Sequence, residues 1–281
     1  MKKKNPNQLS IFDIMIDHNN EPVVPITEAP IIETVQPVPQ NTDNKNLCPY
    51  KIPTVDEIIK RIKSATYRVN TSQLIADVFE CGAISIANTV TFPQNQEREE
   101  RYKQIMEKYE PAERNLLCEI FGMVYALLSS VVYDNGVFKD YLGDLFMRCN
   151  QGNSSTGQFF TPYHISEFMA KAAIGDEVIA KAENDGILTV CDPCCGAGGL
   201  MLAALDVLKN DYNINYARHC FIECSDIDIR CVHMTYLQLS LAGVPAIIKH
   251  QNSLTHELWS VWKTPAFIFQ YSRFHQYENY N

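Results

Sequence analysis

The chain has 281 residues, 46% hydrophobic and 20% charged, with 24 Lys and Arg against 33 Asp and Glu for a net charge of −9. That balance is globular and sufficient to bury a sizeable core, and a pI of about 5.3 excludes an autonomous, strongly basic nucleic-acid binder, because phosphate contact would need a local patch or a partner. Ten cysteines behind a start, Met1-Lys2-Lys3-Lys4, that continues in polar residues predict free thiols in a reducing, cytoplasmic compartment.

Residues 1–49 read as an extended, disordered tail: six prolines and no glycine fall before Asn46, spaced so that neither helix nor strand can propagate. Folded structure is expected from Pro53 onward, where Thr54 and Glu57 form a capping box that opens an amphipathic helix to about residue 65. Helical periodicity recurs over 72–88, 96–109, 112–133 and 139–148, with Pro93 and Pro111 as punctuation, so residues 50–150 form an all-helical region. The apolar run 116–133 contains Glu119 and two serines and falls short of the roughly 20 clean residues of a membrane span. It reads as a buried core helix, and no membrane partner is expected.

After Asn150 the period changes. Residues 186–191 read as a buried strand, followed by a glycine-rich turn and a helix over 199–209. A second strand, 219–224, leads into a helix over 229–242, and a third, 245–249, leads into Asn252-Ser253-Leu254. Alternating strands and helices predict an α/β domain over 151–281 with a parallel, doubly wound sheet. The segment 258–263 is not expected to form an apolar strand.

The richest segment is Asp192-Pro193-Cys194-Cys195-Gly196-Ala197-Gly198-Gly199, at the junction of the first strand and its helix. Glycines there let a ligand approach the backbone, and the helix N-terminus offers free N–H donors to an anionic group such as a carboxylate. The same string also suits a plain strand-to-helix turn. Asp226, just past the second strand, stands where a carboxylate accepts hydrogen bonds from ribose hydroxyls, or it is an ordinary charge at a helix start. Cys191, Cys194, Cys220 and Cys224 have a zinc-like spacing, but three fall in or beside strands, so buried thiols and no metal are expected. The scattered histidines suggest no nucleophile–base pair.

Taken in order, Gly157-Gln158-Phe159-Phe160-Thr161-Pro162, then Asp192 to Gly199, then Asp226-Ile227-Asp228 with Leu239 to Gly243, then Asn252-Ser253-Leu254, resemble the modification subunit of type I restriction systems. Those proteins are DNA adenine-N6 methyltransferases of the gamma order, and the likeness covers about residues 139–254. It implies a Rossmann-like methyltransferase sheet preceded by a helical region, S-adenosylmethionine as cofactor, DNA and a specificity subunit as partners, and a bacterial or mobile-element origin. Phe160, Thr161 and Pro162 would line the methionine end, Asp192, Gly196 and Gly198 the methionine and loop contacts, Asp226 the ribose, and Asn252 the cofactor adenine. The segment Asp140-Tyr141-Leu142-Gly143 is similar to the helix that leads into the family's first motif.

The exocyclic amine of adenine is a poor nucleophile because its lone pair is delocalised into the ring. The family meets this with an Asn/Asp-Pro-Pro-aromatic loop that accepts hydrogen bonds from the amine and stacks on the flipped base. This sequence has no such tetrapeptide. Thr264-Pro265-Ala266-Phe267 comes nearest, which makes Thr264, Pro265 and Phe267 the candidate, degenerate catalytic residues. Because the chain ends at Asn281, the sheet is expected to be short of the family's remaining strands. The two functions to weigh are a DNA adenine methyltransferase and a degenerate methyltransferase fold serving as a cofactor-binding or replication-associated module.

Within the tail, Gln8-Leu9-Ser10-Ile11-Phe12 resembles the short peptide by which bacterial proteins dock on the DNA polymerase sliding clamp. Gln8 would make the polar contacts, and Leu9, Ile11 and Phe12 would enter an apolar pocket. The alternative is an apolar patch that packs on the chain's own domain.

Overall fold

The computed structural model describes residues 15–16, 51–64, 70–133, 137–149, 160–183 and 186–277. Gln8, Leu9 and Phe12 lie outside the described residues.

Five helices make up the first part: α1 (Val55–Ser64), α2 (Thr71–Val90), α3 (Gln96–Glu107), α4 (Pro111–Tyr133) and α5 (Tyr141–Cys149). The capping box opens α1: Glu57 N–H donates to Thr54 Oγ1 at 3.2 Å, and Thr54 N–H donates back to the Glu57 carboxylate at 2.9 Å. Asn70 caps α2 by accepting from Ser72 N–H at 2.8 Å. The helices bury their apolar faces on each other, and the buried Asp77 of α2 is satisfied by Tyr109 Oη–H at 2.7 Å and Lys108 Nζ at 3.6 Å. Helix α4 is long and apolar enough to cross a membrane, but Leu117, Ile120, Val124 and Leu127 face the core, where it packs on α1, α2 and the later helix Ile229–Leu241.

The second part holds α6 (Tyr163–Ala173) and α7 (Asp176–Glu183), then β2 (Leu188–Asp192) and α8 (Gly199–Asp206), which is prolonged by a π-helical turn over Val207–Asp211. There follow α9 (Tyr216–His219), β3 (Cys220–Asp226), α10 (Ile229–Leu241), β4 (Ala246–Asn252), β5 (Glu257–Lys263), α11 (Pro265–Phe269) and α12 (Tyr271–Phe274). Far upstream, Met15–Ile16 forms a two-residue strand, β1, antiparallel to β2 with Met15 opposite Thr189. Met15–Ile16 thus covers the edge of β2 that β3 leaves free, where a strand offers unpaired backbone groups to a segment within reach.

The sheet runs β1-β2-β3-β4-β5. Strands β2, β3 and β4 are parallel, with Leu188 opposite Cys220 and Ile222 opposite Ala246. Residues at alternate positions, Val190, Ile222, Cys224 and Ile248, point to one face and join α8, α10 and the helical region in one continuous core. Phe221 and Ile247 point the other way and are covered by Phe267 of α11 and Phe274 of α12.

Two expectations change here. No reversal of strand order occurs among the described strands, so the sheet is mixed rather than doubly wound: α8 and α10 share one face and α11 with α12 closes the other. Second, residues 257–263 do form a strand, antiparallel to β4 with Ile247 opposite Lys263. Its alternation of Leu258, Ser260 and Trp262 against Trp259 and Val261 suits a half-exposed edge. Trp262 is the buried anchor: Arg98 of α3 stacks 4.0 Å over its ring and donates to Val261 O at 2.8 Å, tying the helices to the sheet.

Candidate functional site

The loop between β2 and α8 is held on every side. Cys194 N–H donates to Asp192 Oδ1 at 2.9 Å, Cys195 N–H to Ser225 O at 3.0 Å, and Gly196 N–H to Asp226 Oδ2 at 2.9 Å. From α10, Thr235 Oγ1–H donates to Gly196 O at 2.8 Å and Gln238 Nε2–H to Ala197 O at 2.7 Å. Gly196 (φ 55°) and Gly198 (φ 90°) adopt left-handed backbone. A Cβ at Gly196 would stand 3.1 Å from the Phe160 ring, and one at Gly198 3.1 Å from Thr235 Oγ1.

Over this loop lies a cavity of about 260 Å³, walled by Asp140, Phe160, Thr161, Ser166, Asp192 and the loop from Cys194 to Leu200 except Gly198. Asp140 stands immediately before α5, where its Oδ1 accepts from Gly143 N–H at 2.8 Å and from Gln238 Nε2–H at 2.9 Å. The close approach explains Gly143: a Cβ there would meet Asp140 Oδ2 at 2.1 Å. Burial pushes the carboxyls of Asp140, Asp192 and Asp226 above the usual range, against the pull of the N–H groups they accept from. Three acids thus surround one loop, and a positively charged ligand would relieve them.

Of the residues named from sequence, Phe160, Thr161, Asp192 and Gly196 line the cavity together. Pro162 caps α6 just outside it, with its carbonyl accepting from Ile165 and Ser166 N–H. Gly198 sits behind the wall as the N-cap of α8. Asp226 closes β3, its two carboxylate oxygens holding Gly196 N–H and Asp228 N–H, the latter at 2.9 Å. Asn252 ends β4, and its Oδ1 accepts from Leu254 and Thr255 N–H, which turns the chain toward β5.

Thr264, Pro265 and Phe267 are not brought to this site. Thr264 pairs with the start of β4, whereas the glycine loop, Asp226 and Asn252 stand at the carboxyl ends of β2, β3 and β4. Fully buried, Thr264 Oγ1 donates to Val244 O at 2.6 Å, accepts from Ala246 N–H at 2.9 Å and caps α11. Pro265 is the first residue of that helix, and Phe267 packs 5.8 Å from Phe221 with no exposed surface to offer a base. The reason is topological. The antiparallel β5 carries the chain back to the far end of the sheet before this tetrapeptide is reached.

Among the described residues no three His, Cys, Asp or Glu side chains converge as a metal site. Cys220 and Cys224 are buried in β3, and Cys195 is buried in the loop. Sequence reasoning gave no site role to Asp140, Ser166, Thr235 or Gln238. A Gln in the middle of an apolar helix that is 2% exposed was the available signal, since a buried carboxamide must find partners.

The N-6 DNA methylase family profile matches residues 138–277, the stretch that runs from just before α5 through the cavity and strands β2 to β5. The chain is 26% identical over 184 residues to the type I restriction enzyme MpnII methylase subunit of Mycoplasma pneumoniae, covering 63% of this chain and 28% of that protein. It is 24% identical over 142 residues to the type I restriction enzyme EcoEI methylase subunit of Escherichia coli, covering 47% of this chain and 27% of that protein. The aligned part thus spans about a quarter of each relative. No solved structure matches the chain significantly. With a glycine loop pinned to the acid that ends the next strand, and a family match extending over both, the chain belongs to the N-6 DNA methylase family.

Proposed function

We propose that this protein binds S-adenosylmethionine in the cavity above the Asp192–Gly199 loop and works as a DNA adenine-N6 methyltransferase module together with a specificity subunit. The observation that carries the reading is the bond from Gly196 N–H to Asp226 Oδ2, which sets a left-handed glycine loop beside an acid at the carboxyl ends of parallel strands. The cavity fits the cofactor on three counts. Gly196 leaves room against Phe160 that a side chain would fill, the acids favour a cationic ligand, and the buried Ser166 Oγ has no hydrogen-bond partner among the described residues.

When bound, S-adenosylmethionine supplies an activated methyl group. Asp226 would hold the ribose while keeping the loop in shape, Phe160 and Thr161 would flank the methionine end, and the loop's tight turns would exclude water from it. Asn252 would border the adenine. The relatives are named as type I methylase subunits, which supports DNA as the acceptor and a specificity subunit as the partner. The tail peptide from Gln8 to Phe12 would add a sliding-clamp contact.

One observation favours a second reading, a cofactor-binding module without transfer. The nearest counterpart of the catalytic tetrapeptide, Thr264 to Phe267, is built into the core. The test is calorimetry with S-adenosylmethionine on the full chain, followed by transfer of labelled methyl to unmethylated DNA with and without a specificity subunit. Binding with transfer supports the enzyme and binding without transfer supports the module. Absence of binding, with Asp226→Ala indistinguishable from the parent, overturns both.

A further inference from the structure

The lining of the cavity includes two polar side chains, Asp140 and Ser166, that the fold leaves with work to do. Among the described residues Asp140 Oδ1 takes both of the side chain's hydrogen bonds, from Gly143 N–H at 2.8 Å and Gln238 Nε2–H at 2.9 Å. Oδ2 accepts none from the described residues and lies 3.1 Å from where a Gly199 Cβ would stand, at the first turn of α8. Helix α8 therefore meets an anion of the protein's own at its start, and that anion already takes the place foreseen for a ligand carboxylate. Ser166 of α6 lines the same cavity, is 1% exposed and has a buried Oγ with no partner among the described residues. A buried hydroxyl without a partner costs about 1–3 kcal/mol, so a ligand that supplies one is favoured. Asp192 faces the same space as a second carboxylate.

We propose that Asp140 and Ser166 form a subsite for an α-amino-acid head group, in which Asp140 Oδ2 accepts from the ammonium and Ser166 Oγ hydrogen-bonds the same group. The inference rests on the S-adenosylmethionine reading above and deepens it: this pair of side chains selects the cationic end of the ligand. Burial has already raised the Asp140 carboxyl, so an ammonium that restores its charge gains more than at an exposed acid. Asp140→Asn is a clean probe, since an asparagine keeps Oδ1 and both of its bonds and replaces only Oδ2.

The experiment is calorimetry on the full chain with three ligands: S-adenosylhomocysteine, its analogue lacking the α-amine, and 5′-methylthioadenosine, which lacks the amino-acid end. The parent should bind S-adenosylhomocysteine roughly 10- to 100-fold more tightly than the deaminated analogue, the range for a lost charge-assisted hydrogen bond. Asp140→Asn should lose about that factor for S-adenosylhomocysteine, discriminate little between it and the deaminated analogue, and bind 5′-methylthioadenosine as the parent does. Ser166→Ala should weaken S-adenosylhomocysteine alone by about 5- to 10-fold. If the parent binds all three equally, or both variants weaken 5′-methylthioadenosine as much as S-adenosylhomocysteine, the subsite is refuted while the cofactor reading stands. If the parent binds none of them, the cofactor reading fails and takes the subsite with it. Should Asp140→Asn not fold, the parent's discrimination against the deaminated analogue and the Ser166→Ala result still decide the matter.

Discussion

Gly196 N–H and Asp226 Oδ2 are joined at 2.9 Å across thirty residues of sequence, so the acid that ends β3 also shapes the loop that leaves β2. Ligand contact and loop geometry therefore rest on one side chain. Asp226→Ala should stay folded, lose about 1–3 kcal/mol of stability from two orphaned N–H groups, and weaken S-adenosylmethionine at least 10-fold. Urea unfolding and calorimetry on the same preparation measure both. Loss of affinity without loss of stability would mean that Asp226 touches ligand but does not organise the loop.

Gly198 is left-handed at φ 90°, and its missing Cβ would stand 3.1 Å from Thr235 Oγ1. Gly198→Ala combines backbone strain of about 1–2 kcal/mol with a steric push on α10. Thr235→Ala removes the push together with its own bond to Gly196 O, so Gly198→Ala should cost less in the Thr235→Ala background than in the parent, by the steric part alone, with the strain remaining. Thermal unfolding of the four combinations checks this, and a Gly198→Ala that costs nothing in the Thr235→Ala background would show that φ at Gly198 is not the constraint.

Much of this arrangement was legible beforehand because local signals agreed. The capping box at Thr54 and Glu57, the strand–glycine–helix string and the acid at Asp226 each announce themselves within a few residues. What escaped was non-local. Asp140 reaches the glycine loop only because Gln238, ninety-eight residues later, donates to it and to Ala197 O together. The strand Glu257–Lys263 escaped because its apolar residues serve an antiparallel edge, anchored by Trp262 beneath Arg98, and not a buried parallel strand. Reading that segment as loop left Thr264 free to be placed beside the ligand, whereas one additional strand carries it to the other end of the sheet.

His233 of α10 is buried edge-on against Trp262, with ring centroids 4.9 Å apart. Burial is the main cause that lowers its pKa to about 4, reinforced by His250, Arg98 and Arg101 and opposed by Glu80. A depressed folded-state value means the unfolded chain binds the extra proton first, so the stability is present above about pH 6.5 and is lost as pH falls toward 4. The loss is bounded at about 3 kcal/mol. The raised carboxyls of Asp140, Asp192 and Asp226 act in the opposite sense, so the useful quantity is a difference. Parent minus His233→Phe stability should shrink as pH falls from 7 to 4.5, and a flat difference would mean that His233 is protonated in the fold.

The same carboxyls make a prediction about stability without ligand. A buried acid whose folded-state pKa is raised destabilises the protein as pH climbs through its titration range, because the folded state then gives up a proton it holds more tightly than the unfolded chain does. Asp192→Asn should therefore leave the melting temperature of the ligand-free protein unchanged or raise it by about 1–3 °C at pH 7, while weakening S-adenosylmethionine. A fall in melting temperature would assign Asp192 to the scaffold through its bond from Cys194 N–H.

Thr264 and Phe267 allow the sharpest separation of scaffold from chemistry. Thr264 Oγ1 bonds Val244 O and Ala246 N–H and caps α11, while Phe267 fills the core beside Phe221 and Phe274. Thr264→Ala should cost about 1–3 kcal/mol through the unpaired Ala246 N–H and the lost cap. Phe267→Ala should cost about 3–5 kcal/mol through the cavity it leaves. Neither should change the affinity for S-adenosylmethionine where the protein remains folded, because both residues stand at the opposite end of the sheet from the loop. Rebuilding the family's tetrapeptide with Thr264→Asn and Ala266→Pro then has a definite outcome. The larger side chain enters a site with no free surface, so stability should fall by about 1–3 kcal/mol and methyl transfer to DNA should not rise. If that variant gains methylation while keeping its stability, residues 264–267 do reach the substrate, and the register of β5 against β4 is not the one present during catalysis.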